Sequence, residues 1–173
     1  TEIAVIALSG IVCDTSIRTA GDEMDTAIVQ FMRKNYNLLI GEPTAEELKI
    51  NIGSAIPIEE RLEFPIRGRD MATGLPREVV VKGSQVRAAL ARSLRLIVEA
   101  IKESIELAPP ELVGDILRSG IYLCGGGSLL KGISDLIAKE IAVKVAVVDE
   151  PLTCVVRGAG IAAENIEGYL QVF

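Results

Sequence analysis

The chain opens on an almost unbroken apolar run, Ile3-Ala4-Val5-Ile6-Ala7-Leu8, which breaks at Ser9-Gly10 and resumes at Ile11-Val12-Cys13. Short continuous apolar runs separated by turn residues read as a hairpin of buried strands. A third short strand is expected over Ser16 to Thr19. At Ala20-Gly21-Asp22 the period becomes helical, with Met24, Ile28 and Phe31 on one face, and Asp22 and Asp25 sit where a helix start favours negative charge. Gly41-Glu42-Pro43 is expected to end that helix. Thr44, with Glu47 three residues on, then reads as the capping box of a second helix that stops near Gly53. From Glu59 to Lys82 the pattern is strand-like, through Leu62, Phe64 and Ile66, a turn at Thr73-Gly74-Leu75-Pro76, and Glu78-Val79-Val80-Val81. Residues 21–83 together read as a small α+β insertion.

The strongest helical stripe runs from about Ser84 to Leu107, with Val86, Leu90, Leu94, Ile97, Ile101 and Ile105 at spacings of three and four. Pro109-Pro110 stops it, and a short helix through Leu112, Ile116 and Leu117 ends at Gly120. An apolar run, Ile121-Tyr122-Leu123-Cys124, then meets Gly125-Gly126-Gly127-Ser128. Three adjacent residues without Cβ let a backbone come close to a flat or charged ligand, and Ser128 is placed to cap a helix through Leu129, Ile133 and Ile137. On its own a glycine-rich strand-to-helix turn is as often a tight connection as a ligand site. A strand at Lys144 to Val148 follows. Pro151 is then expected to open a final helix whose Gly158-Ala159-Gly160 would let it lie close against a sheet.

Composition narrows the chemistry. The chain has 173 residues and no histidine, which removes His-ligated metals and Ser-His or Cys-His catalytic pairs. Eighteen basic against 24 acidic residues give a net charge of -6, with no basic cluster to track a phosphate backbone, so nucleic acid is not an expected partner. Cys13, Cys124 and Cys154 lie in apolar runs without zinc spacing and read as buried, reduced thiols. No apolar run is long enough to cross a bilayer. The start at Thr1, straight into a core-like strand, reads as a cut from something larger.

The order of these elements, with Gly21-Asp22-Glu23-Met24-Asp25, Thr44-Ala45-Glu46-Glu47-Leu48-Lys49, Ala72-Thr73-Gly74-Leu75-Pro76-Arg77, Ala108-Pro109-Pro110-Glu111-Leu112, the glycine turn and Asp149-Glu150-Pro151-Leu152-Thr153, resembles the C-terminal half of the bacterial actins of the MreB family. The resemblance covers essentially the whole chain. It implies an α/β fold, a ribonuclease-H-like lobe of the actin-type ATPases (the actin/Hsp70/sugar-kinase superfamily). Residues 1–20 plus 84–173 would form the ribonuclease-H-like subdomain, and 21–83 the inserted one. It implies ATP with Mg²⁺ in the full-length parent. Gly125, Gly126 and Gly127 would pass the adenosine, with Ser128 beside them; Glu46 and Lys49 would serve the ribose and adenine side; and Gly21 would approach the nucleotide. Glu2 would lie near a metal-bound water, and no metal ligand is assigned within the chain.

The resemblance further implies a parent that polymerises into cytoskeletal filaments directing cell-wall growth and rod shape. Its partners would be other protomers, the missing N-terminal lobe and the cell-wall elongation machinery, in the cytoplasm at the inner face of the membrane, which the first lobe would contact. That lobe and the phosphate loop preceding this chain would be needed for hydrolysis, so the fragment alone is expected to be inactive. A non-catalytic scaffold or regulatory lobe, or a sugar or acetate kinase lobe of the same superfamily, is the alternative. The spacing of Glu46 and Lys49 also suits a solvated ion pair. Aromatic content of 3% makes ring stacking on a purine unexpected and leaves adenine or guanine open.

Overall fold

The computed structural model describes residues 1–8, 10–58 and 62–169. In chain order the elements are β1 (Glu2–Ala7), β2 (Gly10–Ser16), α1 (Gly21–Tyr36), β3 (Leu38–Leu39), α2 (Glu42–Ile52), β4 (Glu63–Asp70), β5 (Pro76–Lys82), α3 (Gly83–Leu107), α4 (Pro110–Ser119), β6 (Ile121–Leu123), a 3₁₀ turn (Gly126–Leu129), α5 (Ile133–Ile141), β7 (Val145–Val147), α6 (Cys154–Glu164) and α7 (Ile166–Tyr169). Two compact units result. One comprises Thr1–Ile17, Ile97–Leu129 and the chain from Ser134 onward; the other comprises Arg18–Leu96 with Leu130–Ile133. The helix α3 gives its first half to the second unit and its second half to the first.

In the unit of Arg18–Leu96, helices α1 and α2 pack on each other, α1 on β3 and α2 on β4. Of the stripe predicted for α1, Met24 and Ile28 are buried and Phe31 is half-buried; Met32 is buried as well, and α2 buries Ala45, Leu48 and Ile52. Each of the buried Met, Ile and Leu side chains contributes about 1.5–3 kcal/mol by leaving water. The three-stranded sheet has the antiparallel order β3-β4-β5 and pairs Phe64 with Val81 and Ile66 with Val79, so these four apolar side chains share one face, while Val80 is exposed on the other. The strand-like reading of Glu59 to Arg61 and the turn residue Ser9 lie outside the described residues.

Boundaries differ from expectation between α1 and α2. Helix α1 stops at Asn37, whose backbone is left-handed (φ 52) and whose N–H bonds to Met32 O, so Gly41-Glu42-Pro43 does not end it. Those residues instead open α2: Gly41 is the N-cap, and Pro43 stands in the first turn, where its missing N–H has no intrahelical partner to lose. Thr44 is therefore inside the helix, and no capping box forms.

Asp70 closes the β4–β5 turn. Its Oδ1 accepts the N–H groups of Ala72 (2.9 Å) and Thr73 (3.0 Å), while its Oδ2 takes the Arg77 guanidinium. The backbone bonds from Thr73 and Ala72, and after them the Arg77 charge, hold the carboxyl below its ordinary value against the opposing effect of burial. An unfolded aspartate titrates near about 3.9. Since the folded value is lower, the stabilisation is complete above that pH and is lost as pH falls through the folded value. Urea midpoints measured down the acid range should show this loss in the native chain and a flatter acid limb in Asp70→Asn; identical limbs would remove Asp70 from the account.

In the other unit, β1 and β2 form an antiparallel hairpin with a register shift at Val5/Ile6. The hairpin is as expected, but its strands alternate half-buried and exposed positions instead of being buried throughout, and Ile6 and Ile11 are exposed. The expected third strand at Ser16 to Thr19 is absent. Ile17 N–H bonds to Thr1 O (2.9 Å) and so extends the pairing of β2. Cys13 Sγ reaches Ser104 O on α3 at 3.6 Å. β6 and β7 pair in parallel, Leu123 opposite Val147. The last long helix begins at Cys154 rather than Pro151, and Gly158 and Gly160 face open space, so the small residues of α6 do not press against a sheet.

Candidate functional site

The glycine turn is built from the end of β6. Leu123 O accepts Val148 N–H (3.0 Å), and the chain then leaves the strand at Cys124. Gly125 follows with φ +82, a left-handed conformation that a Cβ would strain, and its N–H donates to Pro151 O at 2.8 Å. Gly126–Leu129 makes a single 3₁₀ turn. Ser128 is buried and folds back on the turn: its N–H (3.2 Å) and its hydroxyl (2.7 Å) both donate to Gly125 O. It therefore does not cap α5, which starts only at Ile133. Its hydroxyl proton is already directed to a carbonyl one turn back.

One edge of this turn is open. A Cβ built on Gly125 or Gly127 would meet nothing within 4 Å, whereas one on Gly126 would lie 3.3 Å from Leu152 Cδ2. The turn is thus backed by its own hydrogen bonds and by Leu152, with room on the side of Gly125 and Gly127. A flat group could lie against that backbone.

In the unit of Arg18–Leu96, a second set of residues gathers at the start of α1 and on α2. Lys49 Nζ contacts Asp25 Oδ2 at 2.8 Å and donates to Gly21 O at 3.3 Å; the Lys49 and Asp25 side chains are 16% and 9% exposed. The predicted Glu46 and Lys49 thus part company. Lys49 is drawn inward to Asp25, and Glu46 stays exposed, lining a pocket with Asp22, Asp25, Glu42 and Pro43. The lysine's partner is not Glu46, so the solvated-pair reading of that spacing does not describe this structure. Asp25 Oδ1 is buried and has no hydrogen-bond partner among the described residues. A pocket edged by carboxylates suits a ligand that donates hydrogen bonds, such as a hydroxyl or an amine, and repels phosphate.

Sequence reasoning took Asp25 as a helix-start charge and missed its burial. The signal was present: Asp25 stands three residues before Ile28 and seven before Met32, on the stripe that α1 buries. Glu2 is exposed on β1, and its Oε1 accepts the Ser16 hydroxyl at 2.8 Å. Among the described residues no three Cys, Asp or Glu side chains converge to hold a metal ion, and no helix is long and apolar enough to cross a membrane. The cysteines are less buried than expected: Cys124 is exposed, and Cys13 and Cys154 are half-buried.

Comparison with known proteins adds to this geometry. A family model described as MreB/Mbl protein matches residues 1–171. The chain is 43% identical over 167 residues to the cell shape-determining protein Mbl of Bacillus subtilis (strain 168), a match covering 96% of this chain and 50% of that protein. It is 45% identical over 167 residues to the cell shape-determining protein MreB of Escherichia coli (strain K12), covering 96% and 48%. The chain thus spans about half the length of the curated relatives it matches. Among solved structures, MreB5 of Spiroplasma citri bound to ADP superposes with a TM-score of 0.92 at 34% identity, over 98% of this chain and 52% of that one. The same protein bound to AMPPNP has the same score and identity. A MamK double helical filament, at 22% identity and a TM-score of 0.75 over 88% of this chain and 46% of that one, is alike in fold.

Proposed function

We propose that this chain, which belongs to the MreB/Mbl family of cell shape-determining proteins and has their actin-type fold, supplies nucleoside-binding residues to an actin-like ATPase. The protomers of that ATPase polymerise into filaments that direct cell-wall growth and rod shape, in the cytoplasm at the inner face of the membrane. In this proposal residues 1–20 plus 84–173 are the ribonuclease-H-like subdomain and 21–83 the inserted one.

The observation that carries the proposal is the glycine turn, braced from behind by Ser128 and Leu152 and open beside Gly125 and Gly127. A purine is a flat group of the kind such an edge accepts. Independently, the carboxylates of Glu46 and Asp22 suit ribose hydroxyls, with Lys49 acting from its bond to Gly21 and Asp25. Each set, taken by itself, suits one part of a nucleoside: the glycine turn a base, the carboxylates the sugar hydroxyls. Mg²⁺ would enter with the phosphates, whose charge it neutralises. That a 34%-identical relative is bound to ADP in one structure and AMPPNP in another supports the same ligand class.

Gly127→Val tests this directly. The site is open and its φ is not in the left-handed region, so the side chain should leave the melting temperature nearly unchanged while filling the room a base would use. In calorimetric titrations of ATP with Mg²⁺, into the chain alone and mixed with a relative's N-terminal half, the variant should bind at least about tenfold more weakly, a difference of about 1.4 kcal/mol. Equal affinity of variant and wild type, or no binding in either mixture, would overturn the assignment.

A further inference from the structure

Two of the three cysteines, remote in sequence, stand on segments that backbone hydrogen bonds bring together beside the glycine turn. Cys124 is the first residue past β6 and Cys154 the first of α6, which follows β7. Because β6 and β7 are parallel neighbours, both cysteines lie beyond the same ends of two adjoining strands. Backbone hydrogen bonds fix their approach from both sides of Cys124: Val148 N–H to Leu123 O at 3.0 Å, and Gly125 N–H to Pro151 O at 2.8 Å. Glu150 O accepts the N–H groups of Thr153 (3.0 Å) and Cys154 (3.1 Å), a turn that brings the start of α6 back toward the strand ends. The two thiols are close enough for Cys154 to act electrostatically on Cys124. Cys13, by contrast, points its thiol at the backbone carbonyl of Ser104.

We propose that Cys124 and Cys154 are a reversible dithiol–disulfide pair, oxidised by hydroperoxides. Partial burial, and after it the charge of Cys154, push the Cys124 thiol up. In the proposed step Cys154 is the sulfur that attacks first. Its thiolate takes the terminal peroxide oxygen; the S–O bond forms, the O–O bond breaks, and hydroxide leaves and takes up a proton as water. The Cys124 sulfur then displaces the sulfenic oxygen. The S–S bond forms, the S–O bond breaks, and a second water carries off the oxygen with the Cys124 proton. Two thiols and one hydrogen peroxide give one disulfide and two waters, each sulfur losing one electron and the peroxide gaining two. The bond would tie the residue preceding Gly125 to the first turn of α6, whatever the turn binds.

Intact-mass and peptide mapping of the whole chain, treated with hydrogen peroxide and then alkylated, tests the pair. The expected result is loss of two hydrogen atoms, one linked peptide pair holding Cys124 and Cys154, an alkylated Cys13, and full reversal by dithiothreitol. Cys124→Ser and Cys154→Ser should each abolish the linked pair and leave an oxygen adduct or a free thiol on the remaining cysteine. The proposal is overturned if the wild-type map shows Cys124 and Cys154 both still alkylated, or oxygenated separately, or linked between chains; this map decides even if a variant fails to fold.

Discussion

Asp25→Ala should lower the stability of the unit Arg18–Leu96 by about 3–5 kcal/mol, the range for removing one partner of a buried ion pair. The pair is close, at 2.8 Å, and both side chains are shielded from water. Alanine at position 25 removes the counter-charge and leaves the Lys49 ammonium its bond to the carbonyl of Gly21, at 3.3 Å. Urea unfolding of the variant measures the loss. Lys49→Met alone strands the carboxylate in turn, but Asp25→Ala combined with Lys49→Met removes both charges and should recover most of the deficit. The double variant separates two roles: a pair kept for stability would leave the deficit in place, whereas a pair kept to fix Lys49 and the Gly21 turn would give a stable chain with weakened ATP binding. A single-variant loss below about 1 kcal/mol, the scale of exposed pairs, would mean that the site is wet.

That pair also marks where the sequence could and could not be read. The stripe Val86, Leu90, Leu94, Ile97, Ile101 and Ile105 announced α3 because repeated apolar residues at helical spacing have few other uses; the first five are buried and Ile105 is half-buried. Alternation gave the β4–β5 hairpin for the same reason. Failures came where one local signal stood for a tertiary fact. Gly41-Glu42-Pro43 carries the residues of a stop and of a start alike, and the stop was supplied earlier by Asn37, whose left-handed backbone no periodicity reports. Ser128 has the composition of a cap, yet its hydroxyl is committed to Gly125 O, so a 3₁₀ turn intervenes before α5. The exposure of Gly158 and Gly160 could not be inferred from small residues, which permit close packing without producing it. Of the candidate ligand residues, the glycine turn was legible as a motif. The diversion of Lys49 to Asp25 was not, since it depends on how α1 meets α2.

Gly132→Ala should cost about 2–5 kcal/mol, and it probes a contact no sequence motif declares. Residue 132 is left-handed, φ +74, which alanine tolerates at about 1–2 kcal/mol. A Cβ there would also fall 2.4 Å from Ile56 Cγ1 and 2.9 Å from its Cδ1, an overpacking of the kind that costs about 1–3 kcal/mol. The surrounding backbone gives little, because Ser54 bridges Lys131 and Ala55 N–H bonds to Lys131 O at 2.8 Å, fixing the two segments side by side. The two contributions can be measured apart. Ile56→Ala in the Gly132→Ala background clears the clash and leaves the backbone strain, so urea unfolding of the four-member cycle should return a favourable coupling of about 1 kcal/mol or more. Without coupling, Ile56 swings aside freely and the whole loss at residue 132 is backbone strain.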